Sequence, residues 1–196
     1  MRARSIAAGA LAALTLSVLP AAAAVKINHL ALADSAGRYT VVFDVSIHAD
    51  TYRVRQIMTN YSRLNRLSHL VTQSRVLAVL PGNRERIALT LRGCVLFFCK
   101  SVHRVEDVVD KPNGDIVTKA LPSESDFSYA VERWRILPQA GGTRLEYNAT
   151  LVPTFFIPPL IGPYIVKAEM RRQLLETARR IETLADGRAS HLAPQS

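Results

Sequence analysis

A chain of 196 residues that is 48% hydrophobic and 21% charged has the make-up of one globular domain with a substantial core, which excludes a disordered or fibrous protein. Its formal charge of +9 favours anionic surfaces as partners. Two cysteines without a CxxC pattern exclude a disulfide-rich scaffold and a zinc site.

In chain order, residues 1–24 come first: a basic start at Arg2 and Arg4, an apolar run from Ile6 to Leu19, then Ala21 to Ala24. This is the pattern of a secretory signal peptide, cleaved near Ala22 to Ala24. The run is shorter than the roughly 20 residues that span a bilayer. The expectation is therefore an exported, periplasmic protein that carries +7 once Arg2 and Arg4 are removed. Export sets nucleic acid aside as a partner. Residues 25–38 are read as an N-terminal extension, 39–186 as the domain and 187–196 as a flexible tail after Gly187.

Residues 39–48, "YTVVFDVSIH", alternate strictly and put Val41, Phe43, Val45 and Ile47 on one face of a first strand. The period then changes. Asp50 or Thr51 caps a short helix through "TYRVRQIMTN", and "YSRLNRLSH" continues as a second. Six further strands follow over residues 71–80, 84–93, 100–110, 116–121, 126–137 and 143–152. They are separated by turn chemistry such as Pro81-Gly82-Asn83 and Asn113-Gly114. Residues 162–185 have helical period, with Val166, Met170, Leu174, Ala178, Ile181 and Ala185 on one stripe.

Cys94 and Cys99 flank Val95, Leu96, Phe97 and Phe98. In one extended strand the two cysteines would stand about 16 Å apart, beyond the roughly 7 Å that a disulfide allows. A bond between them requires the chain to reverse inside Val95 to Phe98, and an oxidising compartment favours that bond. The alternative is a pair of reduced thiols in a core strand.

The segments "DFSYAVERWRILP" and "GGTRLEYNATLVPTFFIP", with the terminal helix, resemble the closing half of bacterial members of the START-like, or SRPBCC, superfamily. That superfamily includes polyketide cyclase/dehydrase-like and coenzyme Q-binding proteins. The resemblance covers residues 39–185 and implies an α+β helix-grip fold, with a seven-stranded curved antiparallel sheet around the long C-terminal helix and two short helices after strand 1. It also implies the strand order 1-7-6-5-4-3-2 and a hydrophobic cavity between sheet and helix.

Candidates to line that cavity are Val41, Phe43, Val45, Ile87, Leu89, Leu91, Tyr129, Leu145, Tyr147, Leu151, Met170 and Leu174, with a volume of roughly 300–1,000 Å³ expected for a ligand site. Close packing of the same side chains is the alternative. In the implied order the loops 93–100, 121–126 and 153–163 share one pole. Val95, Leu96, Phe97 and Phe98, with Phe155, Phe156, Ile157, Leu160 and Ile161, then form an apolar entrance that contacts a membrane or ligand, unless the two loops pack on each other.

Nothing in the sequence forms a catalytic set. His48, His69 and His103 are scattered, and Glu106, Asp107, Glu132 and Glu146 stand beside arginines as cross-strand surface pairs would. No metal or cofactor is called for. The reading is an exported carrier of a hydrophobic small molecule such as a lipid, isoprenoid quinone or polyketide. The alternatives are a cyclase or dehydratase on such a molecule, or an envelope interaction module.

Overall fold

In the computed structural model the described residues are 25–95, 98–158 and 160–187. Residues 1–24, Leu96, Phe97, Pro159 and residues 188–196 lie outside them, as do the side chains of Val95 and Phe98.

The alternation read at the start of the domain becomes β2 (Arg38–Ile47), in which every second residue from Tyr39 to Ile47 is buried. Asp50 caps α1 (Thr51–Met58) by accepting the Arg53 N–H at 3.0 Å, and a 3-10 helix spans Tyr61–Arg66. The meander continues through β3 (Val71–Leu80), β4 (Arg84–Val95), β5 (Phe98–Asp110), β6 (Ile116–Ala120), β7 (Phe127–Gln139) and β8 (Gly142–Pro153), and ends in α2 (Gly162–Ala185). The sheet is antiparallel throughout, in the order β1-β2-β8-β7-β6-β5-β4-β3. Leu174, Ala178, Ile181 and Ala185 of α2 are buried in one cluster with Val41, Phe43 and Val45. The sheet therefore grips the helix.

The sheet has eight strands where seven were expected. Residues 25–38, read as an extension, contain β1 (Lys26–Ser35), which pairs along β2 and rests Leu30 and Leu32 against the core. The hairpin turns at Ala36 and Gly37, both with positive φ. A two-residue turn of this hand is usually announced by Asn-Gly or Asp-Gly. Here alanine fills the first place, so the local signal was missing.

Cys94 and Cys99 are bonded and directly opposed across β4 and β5. The chain reverses between Val95 and Phe98, so the bond closes the tip of a hairpin. In the chain-entropy account, a loop this short is stabilised by about 2 kcal/mol. The double variant Cys94→Ser/Cys99→Ser should lose about that much in urea unfolding. An unchanged midpoint would mean that the β4–β5 ladder holds the tip without the bond.

Candidate functional site

Between α2 and the concave face of β4–β7, capped by the 3-10 helix, is a cavity of about 160 Å³. Its apolar wall includes Met58, Leu64, Leu67, Ile87, Leu89 and Ile181. Its floor is polar: Arg104 and Glu106 from β5, Thr118 from β6 and Glu132 from β7. Period-two alternation places Arg104, Glu106 and Val108 on the inward face of β5, while Asp107 faces out to pair with Arg86 at 2.7 Å.

Arg104 serves two carboxylates. Its Nη1 donates to Glu132, and its Nη2 donates to Glu106 Oε1 at 3.3 Å. Its Nε stands 2.7 Å from Glu106 Oε2, close enough for an ion pair but misaligned for a hydrogen bond. Glu106 is 2% exposed. Burial pushes its carboxyl up to about 7, the Arg104 charge pulls it back, and the Glu132 charge adds to the rise. One cation does not fully offset two buried acids, so Glu106 holds its proton further up the pH scale than a free carboxyl does. Burial works against the Arg104 charge, but the two carboxylates outweigh it and raise its pKa. The Tyr147 phenol is also raised, by burial first and then by the Glu132 carboxylate.

Two further polar atoms face this cavity without a hydrogen-bond partner among the described residues, Tyr61 Oη and Thr118 Oγ1. Burial raises the Tyr61 phenol, and Asp110 adds to the rise. The lining thus offers a guanidinium and two carboxyl groups, with the Thr118 hydroxyl on the floor and the Tyr61 hydroxyl on the cap, to whatever occupies the space between. Beside the cavity the loop after the 3-10 helix is tied to α2, by Ser68 Oγ to Gln173 Oε1 at 2.5 Å and by His69 to Glu176.

Of the residues expected to line a cavity, Ile87 and Leu89 wall this one. Val41, Phe43, Val45, Leu145, Tyr147, Leu151 and Leu174 are buried in the packed core, with Leu91 and Met170 half-buried against it. Tyr129 is a correction, because it is 42% exposed on the outer face, under the Arg38 guanidinium. A bulge between Phe127 and Tyr129 turns Ser128 and Tyr129 both outward and brings Ala130 in. Glu106 and Glu132 are a second correction. Read as surface pairs, they are buried, while Asp107 and Glu146 do form such pairs, with Arg86 and with Arg135 and Arg144.

A signal for the inward arginine and glutamate was present. Counting back from the paired cysteines puts Leu89 opposite Arg104 and Ile87 opposite Glu106, and directly opposed residues share a face.

Two of the three loops expected at one pole, 121–126 and 153–163, meet there, and Lys100 at the end of the cysteine loop lies over the Phe155 ring at 5.8 Å. Asp126 takes the His103 N–H on one side at 2.7 Å, and its carbonyl accepts the Thr154 N–H at 3.0 Å on the other. Phe155 packs edge-on against Phe127, and Ile157 lies against the core. Phe156, Leu160 and Ile161 project outward, at 82%, 85% and 61% exposure. The cavity wall as described contains none of these loop residues. Val95, Leu96, Phe97 and Phe98, the other half of the expected entrance, have no described side chains.

No protein-family model and no curated protein sequence matches the chain. Solved structures do match. A START superfamily protein from Mycobacterium smegmatis superposes with a TM-score of 0.61 at 18% identity, over 76% of this chain and 97% of that one. The Zhui aromatase/cyclase from Streptomyces sp. R1128 gives 0.63 at 13% identity, over 78% and 96%. A STAR-related lipid transfer protein from Xanthomonas axonopodis gives 0.57 at 14% identity, over 80% and 98%. With an antiparallel sheet curled around a C-terminal helix and these neighbours, the chain has the START-like helix-grip fold.

Proposed function

We propose that the protein binds a small amphipathic molecule in the helix grip, with its polar end on the Arg104, Glu106 and Thr118 floor and its apolar part against Ile87, Leu89 and Ile181. The observation that carries this reading is a cavity with apolar walls and buried polar atoms that have no hydrogen-bond partner among the described residues, since such atoms are costly unless a ligand or water completes them. The lipid-transfer and cyclase neighbours support a hydrophobic ligand for this fold. At about 160 Å³ the space is close to the roughly 150 Å³ that holds benzene and below the roughly 300 Å³ of drug-sized sites. It therefore takes one ring or a short chain. A longer ligand must part the 66–70 loop from α2, where Ser68 and His69 are tied to Gln173 and Glu176. Export to the periplasm, supported by the leader pattern of residues 1–24 and the disulfide, places such a carrier in the cell envelope.

Organic extraction of the purified protein, followed by mass spectrometry, should release one amphipathic class of molecule. The variant Leu89→Trp, which fills the cavity, should lose it while keeping its circular dichroism. Retention of the same molecule by a folded Leu89→Trp would remove the cavity as the binding site. One observation favours turnover as a second reading: Glu106 titrates near 7 beside a guanidinium inside the cavity, as a general acid or base would. Glu106→Gln then separates the two readings by what is extracted: a carrier yields the same molecule as wild type, in reduced amount because Glu106 belongs to its floor, whereas an enzyme yields a different molecule, its unconverted substrate.

A further inference from the structure

The turn leading into α2 places four large apolar side chains in solvent. Phe156, Leu160 and Ile161 are joined by Tyr164 in the first turn of the helix, 72% exposed. The segment is built to hold them there. Phe155 and Ile157 anchor inward, the Gly162 N–H donates to Pro158 O at 2.8 Å, and prolines 153, 158 and 163 limit the backbone. Gly162 is buried with Ile157 Cγ2 only 2.3 Å from where a Cβ would stand, so the turn closes tightly on its anchor.

Cations stand directly behind the apolar tip. Lys100 lies over the Phe155 ring at 5.8 Å and Lys167 over the Tyr164 ring at 5.3 Å, while Arg171 is exposed one turn further along α2. Tyr164, Lys167 and Arg171 follow helical spacing along one side, with Lys167 about 4–5 Å and Arg171 about 10 Å behind Tyr164 along the axis. Of the carboxylates near this pole, Glu169 pairs with Arg172 at 2.6 Å and Asp126 accepts the His103 N–H, while Glu124 stands exposed in the neighbouring 121–126 loop. Apolar groups in front with positive charge a headgroup's depth behind is the arrangement that suits an anionic bilayer surface.

We infer that the β8–α2 turn is a membrane-docking tip, inserting Phe156, Leu160 and Ile161 between anionic lipids while Lys100, Lys167 and Arg171 meet the headgroups. A protein partner fits less well. A stable interface needs about 800 Å² of contiguous surface on each side, whereas these side chains project from one short turn. The charge of +7 that remains without Arg2 and Arg4 adds long-range attraction to an anionic surface. The purpose of docking, loading and unloading a bilayer-soluble molecule, rests on the carrier reading; the observations behind the tip do not.

Flotation with vesicles tests it, using phosphatidylcholine alone and phosphatidylcholine mixed with phosphatidylglycerol. The full chain is run beside a chain starting at Val25, which keeps every described residue and drops the apolar leader. Both should float with the anionic vesicles, and added salt should weaken the binding. The variant Phe156→Ser/Leu160→Ser/Ile161→Ser should lose about tenfold or more in partitioning, and Lys100→Gln/Lys167→Gln/Arg171→Gln should lose the preference for anionic vesicles. Equal flotation of the triple serine variant overturns the proposal. So does a Val25 chain that ignores vesicles, or one whose tip variant changes only its self-association by size-exclusion chromatography. Ligand extraction from the serine variant keeps the readings apart. A folded variant that stays loaded but no longer floats supports docking and leaves the cavity reading intact, whereas a wild type that floats but yields no ligand sinks the carrier and not the tip.

Discussion

Arg104→Met should destabilise the protein by about 3–5 kcal/mol in urea unfolding at neutral pH, because it removes the one cation shared by two buried carboxylates. Arg104 is hydrogen-bonded to Glu132 and to Glu106 on the cavity floor, and Glu106 is 2% exposed. A methionine keeps most of the side-chain volume. The loss therefore reports uncompensated charge rather than a void. The triple variant Arg104→Met/Glu106→Leu/Glu132→Leu separates the two causes. Replacing a whole buried ionic group by apolar side chains is often neutral or stabilising, so this protein should recover most of the loss. It should also lose the amphipathic molecule, since the polar floor is gone. A single Arg104→Met variant as stable as wild type would mean that the carboxylates reach solvent and that the floor is not sealed.

Stability should fall as the pH rises from about 4.5 to about 7, and Glu106→Gln should abolish that slope. The carboxyl of Glu106 titrates near 7 in the folded protein, against an ordinary value of 4.5, chiefly because burial disfavours its charged form. Below about 4.5 the group is protonated in both states and costs nothing. As the pH climbs, the unfolded chain releases the proton first, which favours unfolding until the folded carboxyl also ionises near 7. The full penalty above that window is about 3 kcal/mol. Glu106→Gln should therefore be more stable than wild type at pH 8 and no more stable at pH 4. Asp44, Asp107 and Asp115 shift the other way. Their arginine partners hold them low against the opposing effect of burial, so their contribution is lost only at more acid pH. A parallel pair of pH profiles for wild type and Glu106→Gln would show that Glu106 is ionised throughout the range and that Arg104 fully offsets its burial.

Much of the architecture was readable because its signals are local. Strict alternation in β2, turn residues between the later strands and the helical stripe ending at Ala185 each depend on a few neighbouring side chains, and these gave the strands of the meander and the helix. The strand order came from the family resemblance, and the hairpin that Cys94 and Cys99 close was one of two readings. β1 escaped because alanine sits where a positive-φ turn normally carries asparagine or aspartate. Tyr129 was misplaced because a single bulge reverses inside and outside for the stretch before it.

The site itself was less accessible. In β5 one face reads Val102, Arg104, Glu106 and Val108 and the other His103, Val105, Asp107 and Val109, so both mix apolar with charged residues. Hydropathy alone leaves such a strand undecided. Pairing resolves it, by setting Arg104 across from Leu89 and Glu106 across from Ile87. The sequence by itself determined seven of the eight strands and the terminal helix, because period and turn chemistry act over a few residues, and it narrowed the cysteine segment to a stapled hairpin or a strand with free thiols. Only the tertiary structure decided which charges are buried, how small the cavity is and which loop side chains stay in water, because those depend on register between strands and on packing between segments far apart in the chain.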